Sequence, residues 1–176
     1  MDFDVRIGAL LALLAIAASW DVRTRRIPNA LTFGGFAVGC LLAPWFGGGA
    51  ALREAALGGG AGFAAFFGLY LLGAMGAGDV KLMAAAGTFL GWPLVVQGAL
   101  YSAIAGGVLA LVVVLRAQAV RRTVSSLGGL VTFWAYSGRI RKADWLTLRR
   151  PDALKVPYGV AIALGCACAV VVRGGS

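Results

Sequence analysis

Residues 7–29 read IGALLALLAIAASWDVRTRRIPN. From Ile7 to Ala18 the run is apolar; Asp21 follows, and then the cations Arg23, Arg25 and Arg26. A cleavable secretory signal has the opposite order, with its positive charge ahead of the apolar run. Here the preceding residues include Asp2 and Asp4, with Arg6 as the one cation. The run is therefore expected to stay in place as a first membrane helix, its basic end toward the cytoplasm.

The rest of the chain repeats the pattern. Of 176 residues, 60% are hydrophobic and 13% charged, too little charge for an ordinary soluble domain of this size. The apolar residues fall into six segments, 5–20, 31–46, 55–76, 79–92, 93–116 and 154–172. Several are shorter than the roughly 20 residues a helix needs to cross unaided. The fourth is the weakest, and Gly91-Trp92-Pro93 separates it from the fifth. The expectation is an all-α membrane protein, one domain over 1–176, built as a bundle of about six transmembrane helices.

Charge sets the orientation. With the N-terminus outside, the inner loops hold Arg23, Arg25, Arg26, Lys81 and nine further cations from Arg116 to Lys155, against Arg6, Arg53 and Arg173 outside. A lysine and arginine bias of 13 to 3 satisfies the positive-inside rule and leaves both Asp21 and Asp79 at cytoplasmic helix ends. The net charge of +9 is thus a matter of topology, and nucleic-acid binding is not expected. In the loop 117–153, Val120, Val124, Leu127, Val131 and Trp134 recur at helical spacing. That fits an interfacial helix, with the arginines that follow it meeting anionic lipid headgroups. Gly35 with Gly39, Gly58 with Gly62 and Ser102 with Gly106 suit close helix packing. Cys40, Cys166 and Cys168 form no CxxC pair and read as small buried hydrophobes.

The chemistry follows from what is present. The chain has no histidine, so a serine–histidine or cysteine–histidine nucleophile and a histidine-ligated zinc site are excluded. Two carboxylates remain as a route to peptide hydrolysis, sharing one proton and needing neither metal nor other cofactor. Asp21 ends the first helix; Pro28 disfavours helix at Ile27, and Asn29 is expected to cap the second helix. Taken alone, Asp21 could simply pair with Arg25. The second site reads Gly76-Ala77-Gly78-Asp79-Val80-Lys81. Glycines before an aspartate permit a tight turn and the close approach of an extended substrate backbone, although a turn capped by Asp79 is the plainer reading. Two other functions stay open on these residues: a small proton-coupled transporter using Asp21 and Asp79 as carriers, and a non-catalytic scaffold.

With these motifs the chain resembles the type IV prepilin peptidases, GxGD-class aspartyl proteases of the cell membrane. The resemblance rests on Asp21 with Arg25-Arg26-Ile27-Pro28-Asn29 and on Gly76-Ala77-Gly78-Asp79-Val80-Lys81. Lys155-Val156-Pro157-Tyr158-Gly159 is similar to the Pro-aromatic-Gly start of the family's last helix. It implies catalysis by Asp21 and Asp79, with Gly76 and Gly78 shaping the turn that positions Asp79. Lys81 would contact substrate or a headgroup, and Arg25, Pro157 and Tyr158 join it as substrate-binding or positioning candidates. The implied reaction removes the leader of a prepilin or pseudopilin at the cytoplasmic face, after a glycine and just before the substrate's hydrophobic segment. Larger members add a domain with paired CxxC motifs and methylate the new N-terminus. Lacking these motifs, the chain is similar to the short peptidase-only form of Flp/Tad-type systems, and methylation is not expected.

Overall fold

The computed structural model describes residues 2–116 and 157–174, so the expected interfacial helix of 117–153 lies outside the described residues. The described residues form five helices: α1 (Asp2–Thr24), α2 (Asn29–Leu71), α3 (Ala77–Leu90), α4 (Leu94–Arg116) and α5 (Tyr158–Gly174). Residues up to Gly107, and again from Pro157, belong to one compact unit; the last turns of α4 belong to a second.

Two of the six expected segments are halves of α2. A straight helix of 43 residues would extend roughly 65 Å, about twice the thickness of a bilayer's hydrocarbon core. The helix breaks at Gly47 and Gly48, the latter at φ 61°, ψ −151°, and resumes at once. Beyond the break the chain doubles back. The Phe36 ring lies against Gly59, where an added Cβ would stand 3.0 Å from its edge. The sequence reading left 47–54 as a connecting loop, but all of it except the break is helical. At the other end α2 stops at Leu71, short of the expected 76, because Gly73 adopts φ 73° and turns the chain toward the next helix.

The fourth segment, weakest in the sequence, is the centre of the fold. From Asp79 to Leu90 every residue of α3 except Lys81 is buried. Fourteen residues rise only about 21 Å, too little to span lipid alone. Covered by neighbouring helices, α3 needs no lipid-facing length. Glycines bring the cover close: a Cβ on Gly58 would collide with the Gly87 carbonyl oxygen, and one on Gly62 with that of Met83. The second half of α2 therefore runs antiparallel to α3. At the far end, Arg6 of α1 donates to the Thr88 and Phe89 carbonyls at 3.4 and 3.1 Å, which closes the last turn of α3 with a cation. Leu10, Leu14, Leu82, Met83, Val95 and Ile162 fill the space between α1, α3, α4 and α5.

Outside this core the surface is apolar. Trp45 is 85% exposed, Leu41 and Val171 each 73%, and Leu100, Ile104 and Leu111 are also exposed. Such a surface suits hydrocarbon rather than water. Three helices are long and apolar enough to cross a membrane, within Val5–Thr24, Asn29–Leu71 and Leu94–Val113, and Tyr158–Gly174 is a shorter apolar helix. Of the cysteines, Cys166 is buried as expected and Cys40 is half-buried, whereas Cys168 lies on the exposed face of α5.

Candidate active site

Two turns meet at one end of the bundle. The first follows α1. Arg25 takes φ 52° and its N–H donates to the Asp21 carbonyl at 2.7 Å, a left-handed helix end. Asp21 thus sits within the last turn of α1 rather than beyond it. Pro28, extended at φ −61° and ψ 137°, occupies the cap position of α2. Asn29 is inside that helix, and its Oδ1 accepts from Lys81 Nζ at 2.9 Å. The expected Asn29 cap is therefore absent, because proline already provides the extended backbone that precedes a helix.

The second turn precedes α3. Gly76 caps the helix with φ −83° and ψ 154°, and its N–H donates to Asp79 Oδ2 at 3.0 Å. This is half of a capping box: the carboxylate reaches back to the cap residue, which has no side chain to reciprocate. Gly78 lets the two turns touch, since a Cβ there would stand 3.3 Å from that of Ile27. The motifs around Asp21 and Asp79, far apart in sequence, are in van der Waals contact.

A third segment completes the site. Pro157 directly precedes α5, its carbonyl accepting from the Val160 N–H at 3.2 Å. First-turn N–H groups of a helix lack partners within it. That of Gly159 finds Asp21, donating to Oδ2 at 2.8 Å. A side chain of α1 thus caps α5 across 138 residues. Gly159 was not among the residues expected from sequence, although it stands in the quoted Pro157-Tyr158-Gly159 run. A free N–H in the first turn after a proline was the available signal.

Both carboxyls are buried, Asp21 6% and Asp79 8% exposed. The charge of Asp21 acts on Asp79, that of Arg25 acts on Asp21, and that of Asp79 reaches Tyr158. Like charges that act on each other disfavour ionising both carboxyls at once. Of the other expected residues, Gly76, Gly78, Arg25, Pro157 and Tyr158 all gather here. Lys81 points instead at α2, bonded to Asn29 and 5.0 Å from the centre of the Phe33 ring. It fastens the start of α2 to α3.

A sequence model of the Type IV leader peptidase family matches residues 8–111, more than half of the chain and inclusive of both aspartates and both turns. No curated protein and no solved structure matches. Apolar helices, a lipid-suited exterior, paired buried carboxyls and the family match agree, and the chain is a membrane protease belonging to the Type IV leader peptidase family.

Proposed function

We propose that this protein is an aspartic endopeptidase in which Asp21 and Asp79 act as one dyad. Its substrates are prepilin-like proteins, cut between leader and hydrophobic segment at the cytoplasmic membrane face. The observation that carries this reading is the convergence of two buried carboxyls, each with one oxygen anchored by a backbone N–H: Gly159 for Asp21 and Gly76 for Asp79. Anchoring one oxygen fixes the plane of each carboxyl and the direction of its other oxygen, and pre-set geometry is what makes acid–base catalysis efficient.

The reaction needs one proton on the pair. The ionised carboxylate takes a proton from water as its oxygen attacks the scissile carbonyl carbon; the neutral carboxyl gives its proton to the carbonyl oxygen. The resulting gem-diol collapses, the C–N bond breaks, and a proton passes to the departing amine. Water is the only co-reactant. The leader is released as a carboxylate and the mature chain keeps a free amine, with no methyl transfer. Gly76-Ala77-Gly78 offers a backbone that an extended substrate can approach, and the substrate's apolar helix stays in lipid beside the enzyme.

Asp21→Asn and Asp79→Asn test this directly. Each keeps an oxygen able to accept the anchoring N–H, so both variants are expected to insert and fold. Each should lose cleavage by at least about a thousandfold in proteoliposomes, the scale expected when a member of a catalytic unit is removed. Near-normal processing by either variant would refute the dyad. In the wild type, cleavage should fall on both sides of an optimum pH, because both the doubly protonated and the doubly ionised pair are inactive.

A further inference from the structure

The two carboxyls have hydrogen-bond partners; the phenol beside them has none. Tyr158 is the first residue of α5 and directly precedes Gly159, whose N–H holds Asp21. Its ring edge is set against α4 at Gly106, where an added Cβ would stand 3.0 Å from Cε1 and 3.2 Å from Cδ1. The ring lines the same cavity as Met75, the residue before Gly76, whose N–H holds Asp79. Tyr158 therefore lies between the two backbone anchors of the carboxyl pair. The charge of Asp79 also reaches it.

The hydroxyl of Tyr158 is uncommitted. Among the described residues it makes no hydrogen bond, and it is not sealed inside the protein, where a phenol without a partner would be costly. The polar groups around it are occupied. Ser102 donates to the Gly98 carbonyl at 2.6 Å within its own helix, and the Gly76 and Gly159 N–H groups serve the carboxyls. Phe66 and the fully buried Ile162 make the surroundings apolar, which strengthens any hydrogen bond formed there.

Peptide hydrolysis makes a demand that this hydroxyl can meet. As water adds to the scissile carbonyl, negative charge grows on the carbonyl oxygen. The neutral carboxyl supplies the proton for that oxygen. A second donor aimed at it lowers the barrier, because the charge it meets is greatest in the transition state.

We infer that the Tyr158 hydroxyl is a third catalytic group, donating a hydrogen bond to the oxygen of the scissile carbonyl and to the tetrahedral oxygen that succeeds it. The inference rests on the peptidase reading above. The phenol keeps its proton throughout, and no covalent bond to it forms or breaks.

The test uses the full chain in proteoliposomes and a synthetic peptide in which a short basic leader precedes an apolar helix. Tyr158→Phe removes the hydroxyl and keeps the ring against Gly106. Its kcat should fall about 100-fold, the scale for losing one donor to a developing oxyanion. KM should stay within about threefold, since the lost bond belongs to the transition state rather than to substrate binding. Fluorotyrosines placed at 158 keep the hydroxyl and make it a stronger donor. Measured where the phenol stays protonated, they should hold kcat far above the Phe variant and raise it progressively with fluorination. A ring that acts by packing alone predicts a flat series, and this comparison decides the matter even where Tyr158→Phe folds poorly. The inference is overturned by a Tyr158→Phe kcat near that of the wild type, by a raised KM at unchanged kcat, or by a flat fluorotyrosine series. The dyad is judged separately on the same peptide. Cleavage by Asp21→Asn or Asp79→Asn refutes the peptidase reading, whereas inert aspartate variants beside an active Tyr158→Phe refute the role of the phenol alone.

Discussion

A single hydrogen at Gly159 decides where a carboxyl can sit. An added Cβ would stand 3.0 Å from both Cβ and Oδ2 of Asp21, closer than such atoms pack without displacement. Gly159→Ala is therefore expected to push the carboxyl off its N–H. A misplacement of about 1 Å can cost on the order of a hundredfold in rate, so kcat should drop at least tenfold while the protein still extracts as a folded monodisperse species. Gly60→Ala is the matching control. Its Cβ would meet nothing within 4 Å, and its place inside a helix favours alanine by about 0.5–1 kcal/mol. Activity should be unchanged and the detergent melting midpoint equal or slightly higher. At this scale Asp21 and Asp79 were legible, because a carboxyl at the end of an apolar run is costly and stands out. The partnership of Asp21 with Gly159 was not, because a backbone N–H leaves no mark on side-chain chemistry and its partner lies 138 residues away. Lys81 was legible as a cation at the right end of its helix, but its bond to Asn29 depends on how α2 and α3 lie together.

Among the elements, α3 depends most on its neighbours. Its contact with α2 is backbone against backbone: a Cβ on Gly87 would strike the Gly58 carbonyl oxygen, and a main chain cannot rotate away as a side chain can. Gly87→Val should cost at least about 1–3 kcal/mol, the usual penalty for overfilling a packed core, and appear as a lower melting midpoint with poor recovery from the membrane. The break in α2 makes a milder case. Gly48 at φ 61° and ψ −151° is in a region nearly closed to other residues. Gly48→Ala should cost about 1–3 kcal/mol and leave KM unchanged, since the break is at the end of the bundle away from the aspartates. The small-residue pairs Gly35–Gly39 and Gly58–Gly62 announced close packing in the sequence, but their partners were out of sight. Gly35 faces Leu13, Gly39 faces Thr88, and Gly58 and Gly62 face the α3 backbone. Short length made α3 look like a poor span; length measures fitness for lipid, and α3 is surrounded by protein.

For the molecule as a whole, the two ends of the bundle differ. Trp20 is exposed beside Asp21, while Trp45 and Trp92 are exposed at the opposite end, near the α2 break and the Gly91-Trp92-Pro93 turn. Indole rings at both levels suit the two interfaces of a bilayer. By the charge count the aspartate end is expected inside. A membrane-impermeant thiol reagent applied to intact cells should therefore label a cysteine introduced at Gly49 and spare one introduced at Thr24. Cys40, Cys166 and Cys168 would first be replaced by alanine. The reverse pattern would invert the orientation argued from the arginines. The all-helical, apolar build was readable because hydropathy is a sum over many residues that single errors do not upset. The bend of α2 within three glycines, and the register that brings two turns into contact, depend on pairwise fits that no sum records.

The bond from Gly159 to Asp21 also bears on timing. Both aspartates leave the ribosome before Gly159 does, and the helices that carry them can pair while α5 is still to be made. The donor that seats Asp21 belongs to the last described helix, so on the dyad reading competence to cut waits until Gly159 has been made. A chain stalled before Tyr158 should insert stably and cleave nothing.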